Sequence, residues 1–153
     1  MKKALSYLLI FALTLTVLLC LASCSSSGVS TGSTVPIDFD KKYVYDEDRY
    51  YVFKSDNTGY YQCHYVYDDD ERGYTLSGRV DFEWRIASDG AVYLFEVEAH
   101  YDDDHTEGRE IDIITAPIYF SEEFFVYTKD TQVGSYTSRY IKEGSKLQKA
   151  LED

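Results

Sequence analysis

From residue 42 onward, hydrophobic and polar positions alternate in short runs, broken by turn residues about every ten to fifteen positions, the pattern of antiparallel β-structure. The cleanest run spans 78–86. Val80, Phe82, Trp84 and Ile86 fall on one face and Arg79, Asp81, Glu83 and Arg85 on the other, a strict period of two with one face for core and one for solvent. Ala87-Ser88-Asp89-Gly90 supplies a turn, with Gly90 free to take positive φ. The partner strand is expected to put Tyr93, Phe95, Val97, Ala99 and Tyr101 on the core face, with Glu96, Glu98 and His100 opposite. A similar hairpin precedes it: 49–54 and 60–67 flank Ser55-Asp56-Asn57-Thr58-Gly59, and Tyr61, Cys63, Tyr65 and Tyr67 alternate with Gln62, His64 and Val66.

Further strands are expected at 109–115, 119–120, 124–129 and 136–142, with a break at Ala116-Pro117, because proline cannot donate to a central ladder. At the end the period changes. Ser145 followed by Gln148 fits a capping box, and Leu147, Ala150 and Leu151 share a helical stripe, which predicts a short C-terminal helix over an open end of the sheet. The fold class is therefore all-β: an antiparallel up-and-down meander or barrel of seven or eight strands, since short connections place sequence neighbours side by side.

A barrel of about eight strands either fills its interior with side chains or holds one small ligand. Aromatic residues make up 16% of the chain, against 2 prolines and 1 methionine. Tyr61, Tyr65, Phe82, Trp84, Tyr93 and Phe95 are thus candidates to line a site for a small apolar ligand. The bland reading is that tyrosine is a good strand former whose polar tip half-emerges from a small core. The strand ending in Phe53-Lys54, the Asp56-Asn57-Thr58-Gly59 turn and the strand bearing Phe82 and Trp84 resemble the small lipocalin-like lipoproteins of bacteria over about residues 48–128, without the N-terminal Gly-x-Trp of true lipocalins.

Ahead of this body the chain has a different character. Lys2 and Lys3 precede an apolar run from Tyr7 to Leu19, with the small Ser23 before Cys24, the layout of an export signal over residues 1–23. Leu21-Ala22-Ser23-Cys24 resembles the lipobox of bacterial lipoprotein signals. The resemblance implies a diacylglycerol on the Cys24 thiol, removal of the preceding peptide, and a protein held on the extracytoplasmic side of the cell membrane, or on an outer membrane if the host has one. Residues 24–41 read as a tether. The Ser, Gly and Thr of 25–36 give a flexible coil spanning about 20 Å. Gly28-Val29-Ser30-Thr31-Gly32 matches a hydrolase elbow in letters only, lacking the strand and helix that strain such a turn.

Charge narrows the partners. The net charge of −12 becomes about −14 once Lys2 and Lys3 leave with the signal. Nucleic acid, which needs a cationic footprint, is excluded, and anionic lipid headgroups would be repelled. Membrane contact is then expected through lipid on Cys24, with an envelope component or a small apolar ligand as the remaining partner, and the domain monomeric. Cys63 is left unpaired and reads as a small strand hydrophobe, or else as a reactive thiol.

Candidate chemistry is sparse. His100, Asp102, Asp104 and His105 could offer imidazole and carboxylate ligands to a divalent cation, but the spacing is that of neither a calcium loop nor a zinc site, and solvated turn residues are the alternative. No nucleophile and base sit in recognisable context, so a binding module or a structural lipoprotein is expected, with no enzyme activity and no cofactor. Replacing Cys24 by Ala should abolish metabolic labelling with a fatty-acid analogue and leave uncleaved precursor or released protein. Normal labelling of that variant would overturn the lipoprotein reading.

Overall fold

The computed structural model describes residues 35–68 and 72–152; the expected signal, Cys24 and the first part of the expected tether lie outside the described residues. Eight strands are formed: β1 (Lys42–Asp46), β2 (Arg49–Phe53), β3 (Thr58–Tyr67), β4 (Tyr74–Ile86), β5 (Val92–Tyr101), β6 (Ile118–Phe120), β7 (Phe124–Thr131) and β8 (Gly134–Lys142). All pair antiparallel with their sequence neighbours, and β1 pairs with β8 at Tyr43↔Lys142 and Val44↔Ile141. This closed up-and-down barrel has the all-β, lipocalin-like plan, with a short C-terminal helix α1 (Lys146–Glu152).

The long β3–β4 ladder carries the alternation read from the sequence. Tyr61↔Val80, Gly59↔Phe82 and Cys63↔Gly78 face inward, while Gln62↔Arg79 and His64↔Ser77 lie on the outer face, Ser77 covered there by Asp102 and His105. A side chain at Gly59 would lie 2.4 Å from the Val52 carbonyl oxygen and 2.5 Å from the Phe82 ring, so the ring occupies space that only glycine leaves free. Gly90 takes a φ of 85° in the β4–β5 turn, as its place in that turn requires.

The interior is filled by the strands' own aromatic side chains. Tyr43, Tyr51, Phe53, Phe82 and Phe125 are fully buried, with Trp84, Tyr61 and Tyr140 nearly so. Tyr51 stacks on Tyr61 with centroids 4.4 Å apart and meets Tyr140 edge-on at 5.1 Å, and Phe125 stacks on Tyr140 at 4.8 Å. Such pairs contribute about 0.5–1.5 kcal/mol each beyond their buried area.

Strand β5 departs from its expected phase. Trp84 pairs with Leu94, Glu83 with Phe95 and Arg85 with Tyr93, so Val92 and Leu94 enter the core while Phe95 is exposed on the outer face and Tyr93 stands only partly buried beside it. The cause is a β-bulge: Asp81 opposes Glu98 but Phe82 opposes Glu96, which leaves Val97 as an extra residue and shifts the alternation by one. The expected core face of 93–101 is correct only beyond the bulge, at Ala99.

Residues 109–115 are not a strand. Between Tyr101 and Ile118 the chain is irregular, and β5 meets β6 at one rung, Val92↔Ile118. Ile111, Ile113 and Ile114 turn into the barrel and are buried, filling the seam that a longer strand would have closed with hydrogen bonds. The Ile114 N–H donates to the Tyr51 hydroxyl at 3.1 Å, which satisfies a buried donor outside any ladder.

At the opposite end the folded body starts earlier than residue 42. Val35 and Ile37 pack against the core, Phe39 stacks on Trp84, the Asp38 N–H donates to the Tyr43 hydroxyl at 2.9 Å, and Lys142 pairs with the Asp38 carboxylate at 2.9 Å. The helix is capped as expected. Ser145 Oγ accepts from the Gln148 N–H, while Gln148 Oε1 accepts from the Gly144 N–H. It does not cover the barrel end, however, since none of its residues is buried and Leu151 overhangs a groove beside Val44, Tyr50 and Ile141. No helix among the described residues is long and apolar enough to cross a membrane.

Replacing Tyr51 by Phe keeps the ring and leaves the Ile114 N–H buried without an acceptor. Stability should fall by about 1–3 kcal/mol in urea denaturation, with faster amide exchange at Ile114. A loss indistinguishable from zero would show that the joint does not hold the segment.

Candidate functional site

Along each strand that leads from the core to the 46–49, 67–74 and 131–134 turns, the inward register continues beyond the buried zone. On β3, Tyr61 and Cys63 are buried, Tyr65 is half-buried and Tyr67 is 42% exposed. On β7, Phe125 is buried, Tyr127 half-buried and Lys129 exposed. On β8, Tyr140 is buried and Tyr136, paired with Lys129, is 46% exposed. Chemistry changes along with exposure: Phe53, Phe82, Phe125 and Trp84 lie deep, tyrosines form the next layer, and cationic side chains stand at the rim. This end of the barrel is an open mouth walled by tyrosine.

Arg49 sits at its edge, on the inward register of β2. Its guanidinium lies 4.5 Å from the centre of the Tyr45 ring and 4.8 Å from that of Tyr65, and its Nε donates to Asp46 Oδ2 at 2.7 Å. Burial works against the charge, but the hydrogen bond and attraction from Asp46 win, and the Arg49 pKa is raised. Deeper in, a pocket of about 190 Å³ opens between Tyr51, Tyr61 and Tyr140 on one side and Asp112–Ala116 on the other, with Arg49, Tyr127, Lys129 and Tyr136 completing its wall. Asp112 is exposed, so a carboxylate, two cations and several phenol groups face one small space.

Burial pushes the Tyr51, Tyr61 and Tyr140 hydroxyls above the ordinary tyrosine range; neighbouring tyrosines add to the effect, while the Ile114 N–H partly offsets it at Tyr51. Cys63 follows Tyr61 on the inward register of β3, 3% exposed, with Sγ 3.7 Å from the Leu76 carbonyl oxygen. Burial raises its pKa, which favours the neutral thiol and fits the small-hydrophobe reading.

Of the six expected ligand-lining residues, Tyr61 and Tyr65 belong to this mouth. Phe82 and Trp84 pack in the core, with the Trp84 indole N–H donating to the Thr58 carbonyl at 3.0 Å. Tyr93 and Phe95 lie on the outside, a correction that follows from the bulge in β5. Arg49, Tyr127, Tyr136, Tyr140, Asp112 and Lys129 were not among the expected residues. Their signal was the spacing of tyrosines at alternate positions near the hairpin ends, which becomes meaningful only once the pairing is known.

The expected metal ligands are divided. His100 points to Asp81 and Glu98 on the outer face, at 3.4 and 3.7 Å. Asp102 and His105 instead meet at Ser77: Ser77 Oγ donates to Asp102 Oδ2 at 2.7 Å, and the Ser77 N–H donates to His105 Nδ1 at 3.0 Å. His105 Nε2 then donates to the Arg109 carbonyl oxygen, so both ring nitrogens are occupied. Asp104 lies 3.5 Å from His64 Nδ1. Among the described residues no group of three such side chains is arranged to hold a metal ion. His64 also contacts Ser77 Oγ at 3.0 Å, which brings Ser, His and Asp together, but in the wrong order for hydrolysis. The serine is 2% exposed and bridges the other two, whereas a nucleophile needs an open hydroxyl and a histidine oriented by the carboxylate.

No family model, curated protein or solved structure matches the chain. The alkaline behaviour of the three buried tyrosines gives a direct check on this arrangement. Below the ordinary value of 10.0 both folded and unfolded forms are neutral and the stability is fully present. Above it the unfolded chain ionises and the fold does not. Stability should therefore be level to about pH 10 and then fall by up to ~1.4 kcal/mol per pH unit per tyrosine. Ultraviolet titration of tyrosinate should show these residues ionising together with unfolding, after the exposed ones; titration of all 16 tyrosines as one free set would contradict the packing.

Proposed function

We propose that the chain is a non-catalytic binding module, held on the extracytoplasmic face of the cell membrane by lipid on Cys24, that takes up an envelope component at the tyrosine-walled mouth. One observation carries this reading: the inward register that builds the core runs on, on β3, β7 and β8, into aromatic and charged side chains exposed around a pocket. Folding alone gives no reason to leave tyrosine rings half in water at one end of a barrel whose other end is packed by Val35 and Ile37. A mouth with rings, hydroxyls and both signs of charge is what a recognition site requires.

The filled interior bears on which ligand is sensible. An apolar molecule seated deep in the barrel would have to displace Tyr51, Phe53, Phe82 or Phe125, each of which touches several other rings. The reading of a structural lipoprotein with a filled core shares this scaffold and differs only in assigning the mouth no ligand.

The test is amide chemical-shift mapping of the mature domain titrated with soluble fragments of its host's envelope. Shifts should gather at Tyr65, Tyr127, Tyr136 and Asp112 and leave Phe95 unmoved. No shifts, or shifts confined to the outer face of β5, would overturn the proposal.

A further inference from the structure

We infer that the mouth pocket takes a single uncharged sugar ring, free or at the end of a glycan; this rests on the mouth being the binding site. The argument begins with what the wall can satisfy. Tyrosine hydroxyls both donate and accept, Asp112 accepts and Lys129 donates. An apolar ligand would strip water from these groups and return nothing. A sugar ring carries hydroxyls that donate and accept around its rim, while its C–H faces can lie on the flat faces of tyrosine rings.

Charge excludes the nearest competitor, an anionic ligand. Arg49 is the most enclosed cation of the pocket, and its charge is already engaged by Asp46. Lys129 and Asp112 line the same space with opposite charges. The pocket is therefore close to neutral inside a chain of net charge −12, whose field repels anions approaching from solution.

Size sets the remaining limit. About 190 Å³ lies below the range of ~300–1,000 Å³ for sites that enclose drug-sized ligands. It is room to seat one small ring and too little to bury a lipid chain along its length. The open side of the pocket would let further rings of a glycan continue outward.

Saturation-transfer NMR on the mature domain tests this with N-acetylglucosamine, its soluble oligomers, glucuronate and palmitate as separate probes. N-acetylglucosamine should receive saturation at millimolar concentration. Loss of one wall contact in Tyr136→Ala or Asp112→Asn, both at exposed positions outside the core, should weaken binding by about tenfold, whereas Phe95→Ala should leave it unchanged. Glucuronate should bind at least about tenfold more weakly than the neutral sugar. Affinity that rises with oligomer length places the source in a glycan, and equal affinity places it in a free sugar; both agree with the inference. Palmitate binding that is lost in the mouth variants would keep the mouth as the site and overturn the sugar. Sugar binding indifferent to both mouth variants, or absent from the folded protein, would overturn the inference outright.

Discussion

The hydrogen bond from the Ile114 N–H to the Tyr51 hydroxyl joins the two halves of the molecule's design. Strands β5 and β6 share one rung, so the seam beyond Val92 cannot be held by a ladder. Pro117 lacks an N–H, and the chain before it leaves the strand line. The irregular stretch therefore stabilises itself by burying Ile111, Ile113 and Ile114 and by delivering one backbone donor to a hydroxyl in the middle of the aromatic core. Tyr51 can serve because its ring is already fixed by Tyr61, Phe125 and Tyr140. A phenylalanine there would pack as well and hold nothing.

The same economy shapes the mouth. A barrel of this strand number has room for side chains or for one ligand, and here side chains take the interior. What stays open is the layer above, where the inward positions are no longer covered. Tyrosine suits both places, since its ring fills a core and its hydroxyl tolerates water. Core and mouth are thus consecutive stretches of one register. The floor of the pocket is rigid because Tyr51, Tyr61 and Tyr140 are packed from below, and Asp112 is presented to it by the segment that closes the seam.

The antiparallel all-β plan of seven or eight strands and most of the β3–β4 alternation were legible in the sequence, because β4 is apolar on one face and charged on the other; β1 was not among the expected strands. Strand β5 misled because both registers look apolar: Val92 and Leu94 alternate with Tyr93 and Phe95, and a single bulge at Val97 decides between them. Residues 109–115 misled for a related reason. Isoleucines near period two describe a strand face, yet they describe equally well a buried plug whose backbone finds other partners. The histidines were grouped by proximity in sequence, whereas the sheet sends His100 outward and folds His105 back onto Ser77. The mouth was invisible because Arg49, Asp112 and Tyr136 come from segments that meet only after closure.

The seam leaves a liability that the outer face manages. Beyond Val92, β5 has no ladder partner on its β6 side, and exposed Phe95 and Val97 lie along it. An open, apolar edge invites pairing with another copy. Two features oppose this. If two β5 strands met antiparallel about Val97, Glu96 of each would face Glu98 of the other, placing like charges directly opposite. The bulge at Val97 further twists the edge and interrupts the regular spacing that a second strand would need. The bulge that turns Phe95 out of the core thus also keeps the edge it occupies from templating assembly.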